Sequence, residues 1–543
     1  MLQHTNPFHA GELKAQARAG ASGVADWAAG FIRPSMPDQH RAFFTQLPFL
    51  VLAGADEAGR HWVTLLDGPD RFIQSPDAGT LEIAATPDRQ DPLAQSLIGG
   101  SDVGLLGIEL STRRRNRLSG TTRPHSNGFA IDVSQNFGNC PQYIHERAWR
   151  RVTAQEPLQA TRSSALNANQ IARIHAADTL FIGTGQRGRD AHPSNGFDAS
   201  HRGGAPGFVT VTDGTHLRIP DYAGNNFFNT IGNLLENPRI GLVFVDFETG
   251  GLLHISGRAR VDWDARDSHD PNAMRMIDVT IEAVIDRPAA LSLRWSKDDR
   301  DLRNLVVTAK IKETAEITSF HLAPADGRPL EPFQAGQHLP VELDIPGQSA
   351  PVGRSYSLSA APGQRTYRLS IKREPQGLAS RHMHDTVEVG DLIRARRPSG
   401  DFVIPDDTSP LVLVSAGVGL TPMVSMLHAA ISAGMPRPVW YVHGTRDGAH
   451  HALKSEVAAL AAKHLNLKTQ VHYTRPRPND QIGVDYQIEG RMSAEGLVQL
   501  NVGAEAHYML CGPAPFLADL KTGLEAAGIA PERIHYETFG PSH

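Results

Sequence analysis

An internal repeat constrains this chain more than any other feature of it. Val103–Gly120 reads VGLLGIELSTRRRNRLSG, and Ile240–Gly257 reads IGLVFVDFETGGLLHISG; the two align without a gap. Gly104/Gly241, Leu105/Leu242, Thr112/Thr249, Ser119/Ser256 and Gly120/Gly257 are identical. Val103/Ile240, Ile108/Val245, Glu109/Asp246 and Leu118/Ile255 are conservative pairs. Upstream, GPDRFI ending at Ile73 matches GAPGFV ending at Val209, and TLEI from Thr80 matches HLRI from His216. A short period would build a solenoid, whereas one period of about 137 residues means two copies of a domain.

Each copy reads as β-rich. Phe49–Ala53 (FLVLA) and Leu180–Thr184 (LFIGT) are short apolar strands, and Asp67-Gly68, Asp77-Ala78-Gly79 and Asp213-Gly214 are turns. Closely spaced short strands of this kind build a barrel. The repeated segment is two strands joined at Ser111–Arg114 in copy one and Glu248–Gly251 in copy two. Copy two makes the join with Glu-Thr-Gly-Gly, an ordinary hairpin signal. Copy one makes it with arginines, and continued strand pairing would put Arg113, Arg115 and Arg117 on one face. The run reads either as a solvated hairpin tip or as a patch that draws an anionic cofactor. Nucleic acid is not expected, because the net charge is −5 and no aromatic stacking pattern accompanies the run.

Two cysteines, Cys140 and Cys511, cannot supply the four ligands of an ordinary iron–sulfur cluster or an all-cysteine zinc site. They also make no disulfide framework, which suits a reducing compartment. The N-terminus lacks the basic and then apolar stretches of a signal peptide, and no apolar run is long enough to span a bilayer. A cytoplasmic location is expected, with no membrane partner. The 25 histidines hold no metal-ligand spacing: His450 and His451 are adjacent, and His382 and His384 lack a carboxylate or cysteine partner. No metal is expected, and Cys140 reads as a buried structural thiol, with a reactive thiol as the alternative.

The repeated segments, together with NFGNCPQYI, SHRGGAPGFV and IPDYAGNNFFNTIGNLLENPRIGLVF, resemble the split barrels of the pyridoxamine-phosphate oxidase-like flavoproteins. That resemblance implies an FMN between two barrels, here an internal pseudo-dimer, and leaves a homodimer of whole chains compatible. A phosphate there needs cations and backbone donors. Arg202-Gly203-Gly204 and Gly224-Asn225-Asn226 offer them. Leu66 aligns with Arg202, and copy two has Gly250-Gly251 where copy one has arginines, so the copies have diverged in complementary ways. One composite site is expected, with Arg202, Gly203, Asn225 and Asn226 holding cofactor and the Arg113–Arg117 run nearby.

After a Pro-, Ser- and charge-rich linker, Asp286–Leu302, strand-like alternation starts at Leu305 and continues to Ile404. Within it stands Arg354-Ser355-Tyr356-Ser357. In a strand, Arg354 and Tyr356 point one way and Ser357 the other. An arginine clamps pyrophosphate, a tyrosine covers an aromatic ring, and a serine hydrogen-bonds a ring nitrogen. Lys372 ends a strand, and Gly377-Leu378-Ala379-Ser380 opens a short helix whose amides suit phosphate. From Leu411 the pattern alternates strand and helix, with a doubly wound sheet expected. Its first strand runs directly into Gly417-Val418-Gly419-Leu420-Thr421-Pro422, a glycine turn entering a helix with Thr421 as cap and Pro422 as first helical residue.

RSYSLS, SAGVGLTPM, MLCGPAPFL and HYETFGP, in this order, resemble the ferredoxin–NADP reductase superfamily, most closely the reductase half of flavohaemoglobins. The resemblance covers about residues 300–543. It implies FAD on Arg354, Tyr356, Ser357, Lys372, Gly377 and Ser380, and NAD(P)H around Gly417, Gly419, Thr421, Cys511 and Gly512. Glu537 and Phe539 would lie by the flavin ring, so the catalytic set is Ser357, Cys511, Glu537 and Phe539. The expected organisation is multidomain: split barrels at 1–165, with an N-terminal helical segment, and at 166–288, an FAD-binding β-barrel at 303–407, and an α/β NAD(P)-binding domain at 408–543. Electrons would leave FAD for FMN or a substrate at the barrels, or for a small-molecule or redox-protein acceptor. The alternative is that the barrels bind haem or another ligand, or serve dimerisation. Arg446 and Thr474-Arg475 are candidates for meeting a 2′-phosphate, and NADH against NADPH stays open.

Overall fold

A computed structural model describes residues 6–139, 142–153, 158–188, 192–296, 302–348, 351–434 and 437–538. They form two compact units, one ending and the other beginning between residues 296 and 302.

In the first unit, helices α1 (Ala10–Arg18), α2 (Val24–Ala28) and α3 (Asp38–Thr45) precede seven strands. These are β1 (Phe49–Ala55), β2 (His61–Asp67), β3 (Ile73–Gln74), β4 (Thr80–Ile83), β5 (Asp102–Glu109), β6 (Arg114–His125) and β7 (Gly128–Asn139). After β8 (Ala148–Arg151), β9 (Thr161–Ser163) and α4 (Ala168–Ala176) come β10 (Thr179–Gln186), β11 (Gly196–Gly203), β12 (Thr210–Asp213) and β13 (His216–Asp221). Helix α5 (Asn229–Glu236), β14 (Arg239–Asp246), β15 (Gly251–Asp262) and β16 (Arg275–Arg287) follow. The first sheet runs β2-β1-β5-β6-β7-β4-β3 and the second β11-β10-β14-β15-β16-β13-β12, the same order strand for strand.

The repeated residues have physical jobs. Ser119-Gly120 and Ser256-Gly257 mark the same β-bulge in the two sheets. A Cβ on Gly120 would lie 2.2 Å from the Asp132 carbonyl oxygen, and one on Gly257 2.2 Å from that of Thr280. Gly104 and Gly241 seat the sheets on each other. A Cβ on Gly104 would lie 2.7 Å from the Phe197–Asp198 backbone of β11, and one on Gly241 2.6 Å from Trp62 Cα of β2. β11 holds in the second sheet the place β2 holds in the first, so the contact is self-complementary, like a two-fold dimer within one chain. Val51, Val63, Phe181 and Val243 fill a shared apolar core.

Three expectations change here. The stretch 286–302 is not all linker: Asp286 and Arg287 end β16, and β17 (Leu293–Ser296) pairs with β8. Leu293 and Trp295 are buried on one face, a period-two signal hidden by charged flanks. The boundary at 165/166 also shifts, because β9 pairs with β16. The arginine run does not share one face either. Arg113 sits in the turn at φ 59° and pairs with Glu146 at 3.2 Å. Arg114 stacks 4.8 Å from the Phe43 ring. Only Arg115 and Arg117 share a face, and both are buried.

The second unit begins with an antiparallel sheet of β18 (Arg303–Lys312), β19 (Ile317–Pro324), β20 (His338–Leu343), β21 (Val352–Ser357), β22 (Tyr367–Lys372) and β23 (Leu392–Ala395). Helix α6 (Leu378–Asp385) lies between the last two strands in sequence. A parallel sheet follows, with β24 (Leu411–Ala416), α7 (Leu420–Ser432), β25 (Val439–Thr445), α8 (Lys454–Lys463) and β26 (Leu467–Tyr473). It continues through β27 (Ile488–Glu489), α9 (Ala494–Val498), β28 (His507–Gly512), α10 (Ala514–Ala526) and β29 (Ile534–Thr538). The order β27-β26-β25-β24-β28-β29 reverses between β24 and β28, and ligands bind at the carboxyl ends of strands flanking such a switch point.

Candidate functional site

In the second unit the switch point is built by glycines. Gly417 takes φ +56°, and Gly417–Gly419 forms a 3₁₀ turn that leads into α7. A Cβ on Gly419 would lie 2.2 Å from the Cys511 carbonyl oxygen, so the loop rests directly on the end of β28. A Cβ on Gly512 would meet the Phe516 ring at 2.9 Å. Thr421 is not the cap: α7 starts at Leu420, and Thr421 Oγ1 donates to the Val418 carbonyl at 3.1 Å. The 3₁₀ turn starts the helix early, and Pro422 still falls in the first turn, where no N–H is needed. Cys511 is a buried free thiol whose pKa burial pushes well up, so it lacks the thiolate a nucleophile needs.

Three expected catalytic residues come together. Cys511 and Glu537 are register partners on β28 and β29, and Ser357 is the register partner of His338. His338 Nδ1 lies 3.9 Å from Glu537 Oε1. Burial, with the Asp401 charge, pushes the Glu537 carboxyl up to about 8. Ser357 Oγ and Glu537 Oε2 are buried without a partner among the described residues. Phe539 and Cys140 lie outside the described residues.

Arg354 and Tyr356 are half-buried on the strand that carries Ser357, and Arg354 Nη1 donates to the Gly353 carbonyl at 2.7 Å. Lys372 pairs with Glu374 at 2.9 Å. Gly377 caps α6, while Ser380 Oγ donates to the Gly377 carbonyl at 3.2 Å and accepts from Glu374 N–H at 3.1 Å. Ser380 therefore shapes the turn at the start of α6. Arg368 ties the antiparallel sheet to helix α8, donating to both Glu456 oxygens at 2.7 and 3.0 Å. Arg446 contacts His450 Nε2 at 2.9 Å, and Arg475 is exposed. His450 bonds Asp447, and His451 bonds the Tyr473 hydroxyl. No group of three or more His, Cys, Asp or Glu side chains among the described residues is placed to hold a metal.

In the first unit, Arg115, Arg117, Arg202, Gly203, Asn225 and Asn226 line one open cleft between the two sheets. Arg275 joins them. Arg117 pairs with Asp198 at 3.0 Å, and Arg202 and Arg275 share Asp221 at 3.1 and 3.0 Å. Four guanidiniums thus gather at this cleft. Arg202 Nε and Arg275 Nε are buried without a partner among the described residues. Asn226 and Phe228 both take left-handed φ of 60°, a strain that clusters at ligand sites. The Tyr143 and Tyr222 rings stack at the cleft, 5.1 Å apart.

The related position in the other half keeps an open pocket, lined by Asp67, Asp88, Gln90 and Arg287, but lacks the arginine cluster. By register, Leu66, Leu252 and His254 stand where Arg202, Arg115 and Arg117 stand here, and all three are buried. Sequence reading finds the arginines and misses Arg275, His201, Asp221 and Asn229, which no local pattern marks. It also misses Glu12, a buried residue of α1 that accepts from Asn229 Nδ2 at 2.5 Å. Asn229 in turn accepts from Arg117 at 3.1 Å. Burial pushes the Glu12 carboxyl up to about 8.

Comparison with known proteins bears on the second unit. The oxidoreductase NAD-binding domain family matches residues 413–522. A flavohemoprotein of Deinococcus radiodurans is 39% identical over 243 residues, covering 45% of this chain and 60% of that protein. One of Bordetella pertussis is 41% identical over 243 residues, covering 44% and 60%. The chain thus spans about 60% of the length of these relatives. The flavohem-like FAD/NAD-binding domain of a Vibrio cholerae nitric oxide dioxygenase is 37% identical, covering 45% of this chain and all of that one, with a TM-score of 0.41. The C-terminal part of the chain is a ferredoxin–NADP reductase-like FAD/NAD-binding region of the flavohaemoglobin type.

Proposed function

We propose that the chain is a flavin-dependent NAD(P)H oxidoreductase that passes hydride to FAD in its second unit and delivers electrons to an FMN or substrate in the cleft of its first unit. The observation that carries the first half is the pair of buried, unpartnered oxygens, Ser357 Oγ and Glu537 Oε2, beside the Gly419–Cys511 contact. Buried polar atoms without partners mark places where a ligand completes the hydrogen bonding. When bound, FAD supplies the hydride acceptor and FMN a carrier of electrons.

The residues of the chain bind, orient and manage protons. Arg354 and Tyr356 suit the pyrophosphate and ring face of FAD, Ser357 Oγ offers the flavin ring a donor, and Lys372 and the Gly377 end of α6 supply positive potential. The first-turn amides of α7 and the glycines before it take the nucleotide phosphates. Cys511 positions the nicotinamide by its bulk. Glu537, held protonated at neutral pH, keeps a proton at the floor of the site. In the first unit the residues present fit a phosphate monoester: Arg202 and Arg275 have buried Nε–H groups without a partner among the described residues, in a cleft lined by guanidiniums.

Arg354→Ala should release FAD and abolish NAD(P)H oxidation; wild-type turnover in that variant would refute the FAD assignment. Arg202→Ala should lower FMN content and leave FAD intact, and unchanged FMN would refute the cleft assignment. A second reading, that the first unit binds haem, is favoured by the word flavohemoprotein in the names of the relatives. A Soret band would decide for it.

A further inference from the structure

We propose that His201 is a binding residue of the first unit's cleft, presenting an imidazole Nε2–H donor to a hydrogen-bond acceptor on the bound ligand. This rests on the reading of the cleft as a phosphate-flavin site and adds a requirement to it: the ligand must place an acceptor, such as a phosphate oxygen or a ring carbonyl, against His201.

The tautomer follows from one contact. Arg115 Nη1 lies 3.3 Å from His201 Nδ1. A guanidinium only donates, so Nδ1 accepts and the ring proton sits on Nε2. That Nε2–H is buried and has no partner among the described residues. His201 is 2% exposed and lines the cleft between Arg115 and Arg202. Folding rarely leaves a buried donor unpaired unless something else completes it.

The ring is held in place. Phe181 meets it edge-on at 5.7 Å, and the backbone at Gly203 approaches so closely that a Cβ there would lie 3.0 Å from His201 Cε1. Its surroundings keep it neutral: burial acts first, then Arg115, His145 and Arg202, against Asp178 alone. His201 therefore contributes a directed donor, while the arginines contribute charge.

The repeat supplies an independent argument. His201 pairs with Phe181 as Leu65 pairs with Val51, so Leu65 is its counterpart in the first sheet. Leu65 is buried in the apolar core. The polar residue occurs only in the half whose cleft also carries Arg202 and Arg115.

His201→Leu, which installs the residue of the related position, should weaken FMN binding about tenfold in a fluorescence titration of the full chain. His201→Gln, which keeps an N–H near the Nε2 position, should return it to within about threefold. In ¹⁵N-histidine spectra, assigned by the signal missing from His201→Gln, the wild-type ring should show the Nε2–H tautomer. Undiminished FMN binding by His201→Leu, with binding lost in Arg202→Ala, would overturn this inference alone, as would an Nδ1–H signal. A wild-type chain that binds no FMN would overturn the cleft reading and this inference with it.

Discussion

Gly419→Ala tests how the nucleotide loop of the second unit is held. The added Cβ would sit 2.2 Å from the Cys511 carbonyl oxygen, 2.6 Å from its carbon and 2.9 Å from Gly512 N. All three belong to the backbone of β28, which is fixed between β24 and β29 and has no rotamer to change. Ordinary contact begins near 3.4 Å, so the start of α7 must retreat by about 1 Å. Overpacking against an unyielding neighbour costs about 3 kcal/mol. It also carries the first-turn amides away from the nucleotide, and a misplacement of about 1 Å lowers kcat/KM on the order of 100-fold. Gly417→Ala is the control: a Cβ there meets nothing within 4 Å, and only the left-handed backbone at φ +56° resists, at about 1–2 kcal/mol. Thermal unfolding and kcat/KM for NAD(P)H, measured on both variants, separate contact from conformation. Wild-type values for Gly419→Ala, or equal damage in both variants, would refute the argument from close packing.

Gly104→Ala should loosen the seat between the two sheets of the first unit, lowering its unfolding temperature by several degrees while FAD content stays at the wild-type level; calorimetry with flavin analysis checks both. Glu12 and Glu537 each bind a proton more tightly folded than unfolded, with pKa values raised from 4.5 to about 8. Their stabilisation is full below pH 4.5 and fades as pH rises towards 8, so urea-unfolding stability should fall across that window, and Glu12→Gln should flatten the fall for the first unit. Arg368→Ala should destabilise the second unit by about 2–3 kcal/mol, less than a fully buried pair because the Glu456 side chain is 27% exposed; a loss under about 0.5 kcal/mol in denaturant titration would contradict that.

Much of this molecule is legible in its sequence because the repeat and the reductase motifs are local. Ser-Gly at a bulge, glycine at a sheet contact and a glycine turn between strand and helix each leave a short signature. The strand β17 was hidden because charged flanks masked the alternation of Leu293 and Trp295. Arg113 departs from the expected face because the turn takes a left-handed residue there. The start of α7 moved because a 3₁₀ turn, which has no strong sequence signal, precedes it. In the cleft, the residues found from sequence sit in charged or glycine-rich runs. Those missed, Glu12, His201, Asp221 and Arg275, are single residues from separate elements, and only the tertiary fold brings them together.

The central claim is that one chain carries FAD in its second unit and a single FMN in its first. The direct test is the absorbance spectrum of the purified protein, followed by acid release and quantitation of its cofactors. With arginines in one cleft and Leu66, Leu252 and His254 in place of three of them at the related position, the account predicts FAD and FMN in equal amounts, one of each per chain, and no Soret band. FAD alone, or FAD with a Soret band, would contradict it.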